Sequence, residues 1–430
     1  MDFNEQYQAK LMTPQAAVGV IEDGESIIVP MAIGQPLALI NALAGRAKEL
    51  DATYFGTLDL LPTEMVKVGR DDKLKVDTGY SGMPTRARVQ SGDFTYTPIR
   101  ILDNKCWEEV RPMEVVMLTA SPMDKNGYFT MGPSLDFTCH AMRLAKKIII
   151  EVNQHMPKVH GMGFVHISQV TALIENHRPL LSLPETLAPP DKASELIGQY
   201  IADMIDDGST VQFGLGNIGD SVALALKNKK DLGVHTELIS DSIRILWEEG
   251  VINNSRKNFM KHVSIASFGF GSQKLYDWID NNPSIQFHPT GWVNDPYIIS
   301  KNDNMISVNS ALSIDLTGQV NAESFGPLQY GGVGGNLDFV EGAWRSRGGK
   351  SFIAFPATAK KDTVTKIVPI HPAGQAISTG RADVHYVVTE FGVALLKGQS
   401  VRERAKRLIA IAHPDFRDEL TFEARKLNIL

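Results

Sequence analysis

The chain has 430 residues, more than one hydrophobic core usually serves, so two domains are expected. Its composition is ordinary for a globular protein, and a formal net charge of −6 provides no basic surface for nucleic acid. Two cysteines, a polar N-terminus and no run of 18 apolar residues argue against a disulfide framework, a signal peptide and a membrane span, and favour a soluble cytoplasmic protein.

The first half of the chain opens with a strand, a loop and a helix. Residues 20–44, VIEDGESIIVPMAIGQPLALINALA, predict a helix end, an Asp-Gly turn, an apolar strand, a glycine-containing loop and a new helix. Residues 115–137, VVMLTASPMDKNGYFTMGPSLDF, predict a strand, an Asp-x-x-Gly turn and a Leu-Asp-Phe segment. Alternation of strands and helices favours a largely parallel sheet with functional loops at the carboxyl ends of its strands.

A proline-rich stretch then divides the chain. SLPETLAPPDKASE, residues 182–195, contains three prolines followed by a pattern typical of a helix start, so it is interpreted as a linker. We therefore expect one α/β domain over residues 1–186 and a second over residues 193–430.

The second domain repeats the order of elements of the first. MIDDGSTVQFGLGNIGDSVALALKN, residues 204–228, aligns with residues 20–44 without a gap when the two Asp-Gly turns are superposed. Such a period is too long for a stacked repeat and predicts two related α/β domains. A cleft between two such domains is the expected place for a small-molecule site.

The first loop of the second domain is rich in glycine. Gly214, Gly216 and Gly219 fit the pattern GxGxxG between a strand and a helix, and Glu237 follows about where a dinucleotide-binding fold keeps its ribose-binding acid. An NAD-dependent oxidoreductase is therefore one interpretation, although Asp220 would crowd a pyrophosphate at the helix start. Another acyl or phosphate ligand and a purely structural turn are equally compatible with the loop.

Glu237 is a carboxylate within GVHTELIS, residues 233–240, where Val234, Thr236, Leu238 and Ile239 predict a strand of a buried sheet. Such a group must be paired, protonated or solvated in a cleft. The residue pattern by itself allows a strand-end carboxylate near a cation, a general base, a nucleophile or a ribose ligand.

The last repeated segment contains an insertion. Residues 306–339 repeat the strand, the Asp-x-x-Gly turn and the Leu-Asp-Phe segment of residues 115–137, but with 11 extra residues within NAESFGPLQYGGVGG. Glycines let backbone approach a ligand, and their successive N–H groups can form an anion-binding nest. Because the first domain has no such loop, we expect a ligand-binding loop rather than a hairpin tip, and a site built mainly by the second domain. The glycines concerned are Gly331, Gly332, Gly334 and Gly335.

With these features assembled, the chain resembles the acetyl-CoA hydrolase/transferase family, and within it the 4-hydroxybutyrate and butyrate:acetate CoA-transferases. The resemblance extends over most of the chain, to about residue 370. The segments that carry it are SPMDKNGYF, FGLGNIGDSV, HTELISD, GSQKLYDWIDNNP, NDPYIISKNDNM and DLTGQVNAESFGPLQYGGVGGNLDF.

The resemblance implies two CoA-transferase-type α/β domains and a glutamate that becomes covalently loaded with coenzyme A, a role that passes to Glu237. It implies acyl-CoA and a short-chain carboxylate as substrates. The net charge, the histidine spacing and the lack of a long apolar run predict no nucleic acid, metal or membrane partner, and a homo-oligomer is the general expectation. The residues that the resemblance assigns to coenzyme A binding or to an oxyanion hole are Gln212, Phe213, Gly214, Leu215, Gly216, Asn217, Gly332, Gly334, Gly335, Asn336 and Lys360.

Three other functions are compatible with the same features. Acyl-CoA hydrolysis would follow if water intercepted the loaded glutamate, and an NAD-dependent oxidoreductase would use Gly214, Gly216 and Gly219 instead. A non-catalytic coenzyme A sensor would bind the same ligand without turnover.

Overall fold

A computed structural model describes residues 2–214 and 216–430 of the chain. Contacts between residues divide it into two compact units. Unit 1 contains the residues up to Glu185 together with Ile265–Val293 and Tyr330–Gly334. Unit 2 contains Thr186–Ser264, Asn294–Gln329 and Gly335–Leu430. The expected division of the sequence at residues 186 and 193 does not include the two later segments of unit 1, and it stays a prediction.

Unit 1 is built on a parallel sheet of seven strands, as the alternation of strands and helices predicts. Apolar side chains of the helices Pro14–Gly19 and Leu37–Ala44 pack with those of the strands in one buried core. The strands, in spatial order, are Ala172–Glu175, Lys147–Val152, Val115–Ala120, Ser26–Ile28, Thr53–Gly56, Lys75–Thr78 and Thr95–Tyr96.

The rest of unit 1 consists of short helices and two small β-structures. Tyr128–Thr130 pairs antiparallel with Phe164–His166, and His160–Gly161 pairs parallel with Ile285–Phe287. The other α-helices of this unit are Phe3–Lys10, Arg86–Gln90, Thr138–Ala141, Gln273–Ile279 and Thr290–Val293.

Unit 2 has a sheet of six strands in which only the last strand runs antiparallel to its neighbour. In spatial order the strands are Gly233–Val234, Thr210–Phe213, Met305–Ser310, Lys350–Ala354, Tyr386–Thr389 and Gly392–Leu395. The α-helices are Lys192–Asp203, Asn217–Ala225, Asp241–Glu248, Pro296–Ile299, Asn336–Arg345, Val401–Ala410 and Arg417–Lys426. The first of them begins where the linker was expected to end, because the Asp191 side chain accepts a hydrogen bond from the Ser194 N–H and caps the helix.

The internal repeat is visible in the hydrogen bonds of the turns. A side-chain oxygen of Asp23 accepts from the Asp51 N–H, and that of Asp207 accepts from the Lys230 N–H in the same way. Asp124 and Asp315 each accept from the backbone N–H groups two and four residues further on. The predicted fold class, two related α/β domains with mostly parallel sheets, is confirmed.

Within residues 2–214 and 216–430, none of the helices combines the length and the apolar character that crossing a bilayer requires.

Candidate active site

Glu237 lies in a break between two short strands, Gly233–Val234 and Leu238–Ile239. The sequence predicts one strand through this segment, but the chain leaves the sheet after Val234. The Thr236 hydroxyl turns back to donate to the Leu238 carbonyl oxygen at 2.9 Å. The break follows the carboxyl end of a parallel strand, which is where α/β sheets place functional residues. Glu237 is partly exposed there, between buried residues on either side.

Asn294 and Gly335 lie directly against the Glu237 carboxylate. The Asn294 Nδ2 donates to the Glu237 Oε2 at 2.6 Å. A methyl group placed on Gly335 would lie 1.8 Å from the same oxygen and 2.2 Å from the Asn294 Nδ2. Gly335 has a φ of −107°, which any residue can adopt, so glycine is required here by space and not by backbone conformation.

The pKa of Glu237 is raised to about 7. Burial among protein atoms is the main cause, because it disfavours the charged form. The hydrogen bond from Asn294 lowers the pKa, and the negative charge of Asp338 raises it again. A carboxylate in this state is ionised above neutral pH yet poorly hydrated, a combination that suits a nucleophile.

Asp338 is the fourth member of the group. Its side chain is fully buried in the first turn of the helix Asn336–Arg345, and its Oδ2 accepts from the Asn294 Nδ2 at 3.2 Å. Asn294 therefore donates to two carboxylates, Glu237 and Asp338.

The first glycine loop follows the strand Thr210–Phe213 and opens the helix Asn217–Ala225. Gly216 has a φ of +110° at the helix N-cap, a conformation that side chains rarely adopt, and Gly214 is tied by its N–H to the Val308 carbonyl oxygen at 3.0 Å. The predicted residue Gln212 is buried, and its amide pairs with that of Asn309. Phe213 is likewise buried, and Asn217 is the exposed first residue of the helix. Leu215 lies outside the described residues.

The second glycine loop belongs to unit 1 as far as Gly334 and to unit 2 from Gly335. In unit 1 the Ser81 N–H donates to the Gly331 carbonyl oxygen at 2.9 Å. A methyl group on Gly332 would lie 2.6 Å from the Gly79 carbonyl oxygen, so the loop is packed tightly there. Gly334 has a φ of +59°. In unit 2, Asn336 is the first residue of its helix.

Lys360 lies in the exposed turn of a hairpin formed by Thr358–Ala359 and Val364–Thr365. Its φ is +51°, and the next two residues also have positive φ. Among the described residues, its side chain makes no hydrogen bond or ion pair with Glu237, Asn294 or Asp338.

Of the predicted site residues, the structure therefore brings Gly335 to Glu237. Sequence reasoning missed Asn294 and Asp338, although both lie in segments that carry the family resemblance. The repeated Leu-Asp-Phe motif was a usable signal for Asp338. Asn294 had a weaker one, its position before the Asp-Pro that starts the helix Pro296–Ile299.

Within the part of the chain that the structure describes, no three His, Cys, Asp or Glu side chains come together as metal ligands would.

Comparison with known proteins agrees with this architecture. Residues 1–183 match the acetyl-CoA hydrolase/transferase N-terminal domain, and residues 271–424 match the C-terminal domain of the same family. The succinyl-CoA:cyclohexane-1-carboxylate CoA transferase of Geobacter metallireducens is 42% identical over 99% of this chain and 97% of its own. The 4-hydroxybutyrate coenzyme A transferase of Clostridium kluyveri is 41% identical over 99% of this chain and 100% of its own.

A solved structure has the same fold throughout. RipA from Yersinia pestis superposes with a TM-score of 0.91 and 38% identity, covering 100% of both chains. The paired α/β units and the full-length relatives define an enzyme of the CoA-transferase type. The chain belongs to the acetyl-CoA hydrolase/transferase family. This membership argues against the nicotinamide-dependent oxidoreductase that the GxGxxG pattern also allowed.

Proposed function

We propose that the protein transfers coenzyme A between short-chain carboxylic acids through a γ-glutamyl-CoA thioester on Glu237. The observation that carries the proposal is the Glu237 carboxylate at the end of a sheet strand, held by Asn294 and with backbone alone beside it at Gly335. Relatives named for 4-hydroxybutyrate and for cyclohexane-1-carboxylate support a carboxylic acid as the acceptor. Butyrate and acetate are the other acids that the sequence resemblance suggests.

The exchange proceeds in balanced steps. The Glu237 carboxylate attacks the thioester carbonyl of acyl-CoA, forming an acyl-glutamyl anhydride and releasing the CoA thiolate. The thiolate attacks the γ-carbonyl of Glu237, which forms the glutamyl-CoA thioester and releases the first acid as its carboxylate. A second carboxylate reverses both steps and leaves as a new acyl-CoA. The thioester bond is conserved, and the two half-reactions predict ping-pong kinetics.

Each attack places negative charge on a carbonyl oxygen. Backbone N–H groups of the glycine loops are the proposed donors to that oxygen, because a preorganised donor of this kind typically contributes about 10²–10³ in rate. Coenzyme A binding is assigned to Gln212–Asn217, to Gly332, Gly334, Gly335 and Asn336, and to Lys360 for the phosphates. The Asn294 amide occupies Oε2 of Glu237, so attack is assigned to Oε1.

Trapping tests the covalent step. The protein is incubated with acyl-CoA without an acceptor acid, reduced with borohydride and digested for peptide mass spectrometry. A thioester on Glu237 is reduced to the alcohol, so the peptide loses one oxygen and gains two hydrogens. Glu237→Gln is the matched control and is expected to show no change. Unmodified Glu237 in active wild-type protein would overturn the proposal.

Acyl-CoA hydrolysis is the second candidate, and the family to which the chain belongs includes it by name. Water would then intercept the anhydride or the glutamyl-CoA thioester. Release of free coenzyme A is measured with and without acetate. The transferase predicts transfer of coenzyme A to acetate, which gives acetyl-CoA and little free coenzyme A, whereas the hydrolase predicts equal release of free coenzyme A under both conditions.

A cytoplasmic location and a homo-oligomeric state complete the proposal. The first is favoured by the presence of only two cysteines in 430 residues, and the second is the commonest arrangement among soluble oligomers. Size-exclusion chromatography with light scattering tests the oligomeric state.

A further inference from the structure

Asp338 belongs to the Leu-Asp-Phe motif, which both units contain. In unit 2 the aspartate of this motif lies at the candidate active site. In unit 1 the buried Asp136 of the first Leu-Asp-Phe segment accepts hydrogen bonds from the N–H groups of Met31 and Thr138. Asp136 therefore holds two backbone segments together. Asp338, at the matching position of unit 2, accepts a hydrogen bond from the side-chain amide of Asn294, which also donates to Glu237.

The orientation of the Asn294 amide follows from its two neighbours. When both are ionised they accept hydrogen bonds and cannot donate them, so the NH₂ group faces them. The Oδ1 on the other side of the amide is buried and has no hydrogen-bond partner among the described residues. Glu237 and Asp338 are thus the groups that hold this amide in place.

The two carboxylates differ in what happens to them during the reaction. Glu237 loses its charge when it becomes an anhydride or a thioester, and its hold on the Asn294 amide then weakens. Asp338 is fully buried and takes no part in bond formation, so its side-chain oxygen stays available to the Asn294 amide through both half-reactions.

We propose that Asp338 is a positioning residue, which anchors the Asn294 amide so that its N–H stays directed at the reacting carboxyl group of Glu237. The assignment rests on the proposed function. A second carboxylate next to a nucleophilic one is electrostatically unfavourable, and the amide that donates to both of them offsets part of this cost.

Two substitutions separate anchoring from charge. Asp338→Asn removes the charge but keeps an oxygen that can accept from Asn294, whereas Asp338→Ala removes both. Asp338→Ser is a second truncation, with a hydroxyl too short to take the place of the carboxylate, and it serves if the alanine variant does not fold. The rate of Glu237 loading by acyl-CoA alone is measured between about pH 5.5 and 9, by quenching and mass spectrometry.

Wild-type loading should fall below a midpoint near the Glu237 pKa of about 7. In D338N the midpoint should move to lower pH, because a negative neighbour is gone while the amide stays in place. Its plateau rate should stay within about threefold of wild type. In D338A and D338S the amide is released, so the plateau should fall about 10- to 100-fold and the midpoint should lie above that of D338N.

Three results would overturn the assignment. Equal midpoints and equal plateaus in D338N and the truncations would show that Asp338 acts only through its charge. Loading of D338A at the wild-type rate would show that no anchor is needed. A D338N plateau as low as that of D338A, with the wild-type midpoint, would show a purely structural role at the helix start.

The matched control is Asp315, a second buried aspartate of unit 2 that holds its own turn. D315N and D315A should leave the loading midpoint unchanged. If wild-type protein forms no adduct on Glu237, the proposed function itself fails. If it does and the truncations match wild type, the assignment of Asp338 alone fails.

Discussion

At Glu237 the protein carries a carboxylate whose ionisation opposes folding. Its pKa is raised from 4.5 to about 7 in the folded chain, chiefly by burial. Between those pH values the folded state holds a proton that the unfolded state has released, so stability falls as pH rises through this range and stays lower above it. An active site that stores such a cost trades stability for reactivity.

We therefore expect Glu237→Gln to be more stable than wild type by about 1–3 kcal/mol at pH 8, while losing all glutamyl loading. The difference should shrink as pH falls and vanish below about the unfolded pKa of 4.5. Urea unfolding at pH 5 and pH 8 measures it. The exposed Glu49→Gln is the control and should show no such dependence. Equal stability of Glu237→Gln and wild type at pH 8 would contradict the raised pKa.

The site could be predicted in part from single residues. Glu237 stood out because its charge conflicts with its apolar neighbours, and Gly335 because four glycines cluster in five residues. Asn294 could not be chosen, since a buried asparagine before a helix is common and only its contact with Glu237 distinguishes it. Asp338 was visible as part of a repeat, but a repeat indicates common structure and gives no role.

At the scale of elements, the segment 233–240 shows where periodicity is insufficient. Its apolar residues predict a strand, but pairing ends at Val234, and the hydroxyl of Thr236 closes a local bend. The registers of the two sheets make the comparison direct. Gly233 pairs with Thr210 as Thr53 pairs with Ser26, so the position of Glu237 in unit 2 corresponds to Thr57 in unit 1. Unit 1 therefore has a threonine where unit 2 has the Glu237 carboxylate.

Lys257 fixes the start of this segment through backbone carbonyl groups. Its side chain is 2% exposed, and its Nζ donates to the carbonyl oxygens of Val234 at 2.8 Å and Val263 at 2.7 Å. Burial lowers its pKa to about 7. A neutral amine can still donate to both carbonyls, so the tie survives deprotonation.

Lys257→Met should reveal this lowered pKa. Between about pH 7 and the ordinary lysine pKa of 10.5, the unfolded wild type binds a proton that the folded state has released, so wild-type stability rises with pH. The free energy of unfolding of wild type minus that of Lys257→Met should therefore increase by up to about 1.4 kcal/mol per pH unit over this range. Urea titrations at pH 7, 8.5 and 10 test it, with the exposed Lys227→Met as control. A flat difference would show that Lys257 is not held as a buried amine.

For the whole molecule, the sequence predicted the repeat correctly because each turn has its own local chemistry. The Asp-Gly and Asp-x-x-Gly turns need the same residues in both units to make the same hydrogen bonds. Which chain segments belong to each unit could not be predicted in this way. Ile265–Val293 joins unit 1 through contacts with residues more than a hundred positions away, and local patterns carry no information on pairing at that distance.

Unit 1 is completed by segments from the second half of the chain. The Leu135 N–H donates to the Ser267 carbonyl oxygen at 2.8 Å, and the Met162 N–H donates to that of Phe287 at 3.0 Å. The fully buried Phe287 fills part of the same unit. Without these segments, several buried polar groups would lose their partners at a cost of about 1–3 kcal/mol each, which is large against a total stability of about 5–15 kcal/mol.

We therefore expect residues 1–186 expressed alone to be unfolded or aggregated, whereas a chain cut once in the linker should remain assembled. A protease site inserted between Thr186 and Leu187, where the backbone is largely exposed, allows the cut to be made after folding. The cut protein should elute as one species, keep the circular dichroism of the intact chain and still transfer coenzyme A. The same protease treatment of the unmodified chain is the control. A cooperative unfolding transition of the isolated fragment 1–186 would show that this fragment folds without Ile265–Val293. Separation of the two fragments after cutting would likewise show that unit 1 does not depend on Ile265–Val293.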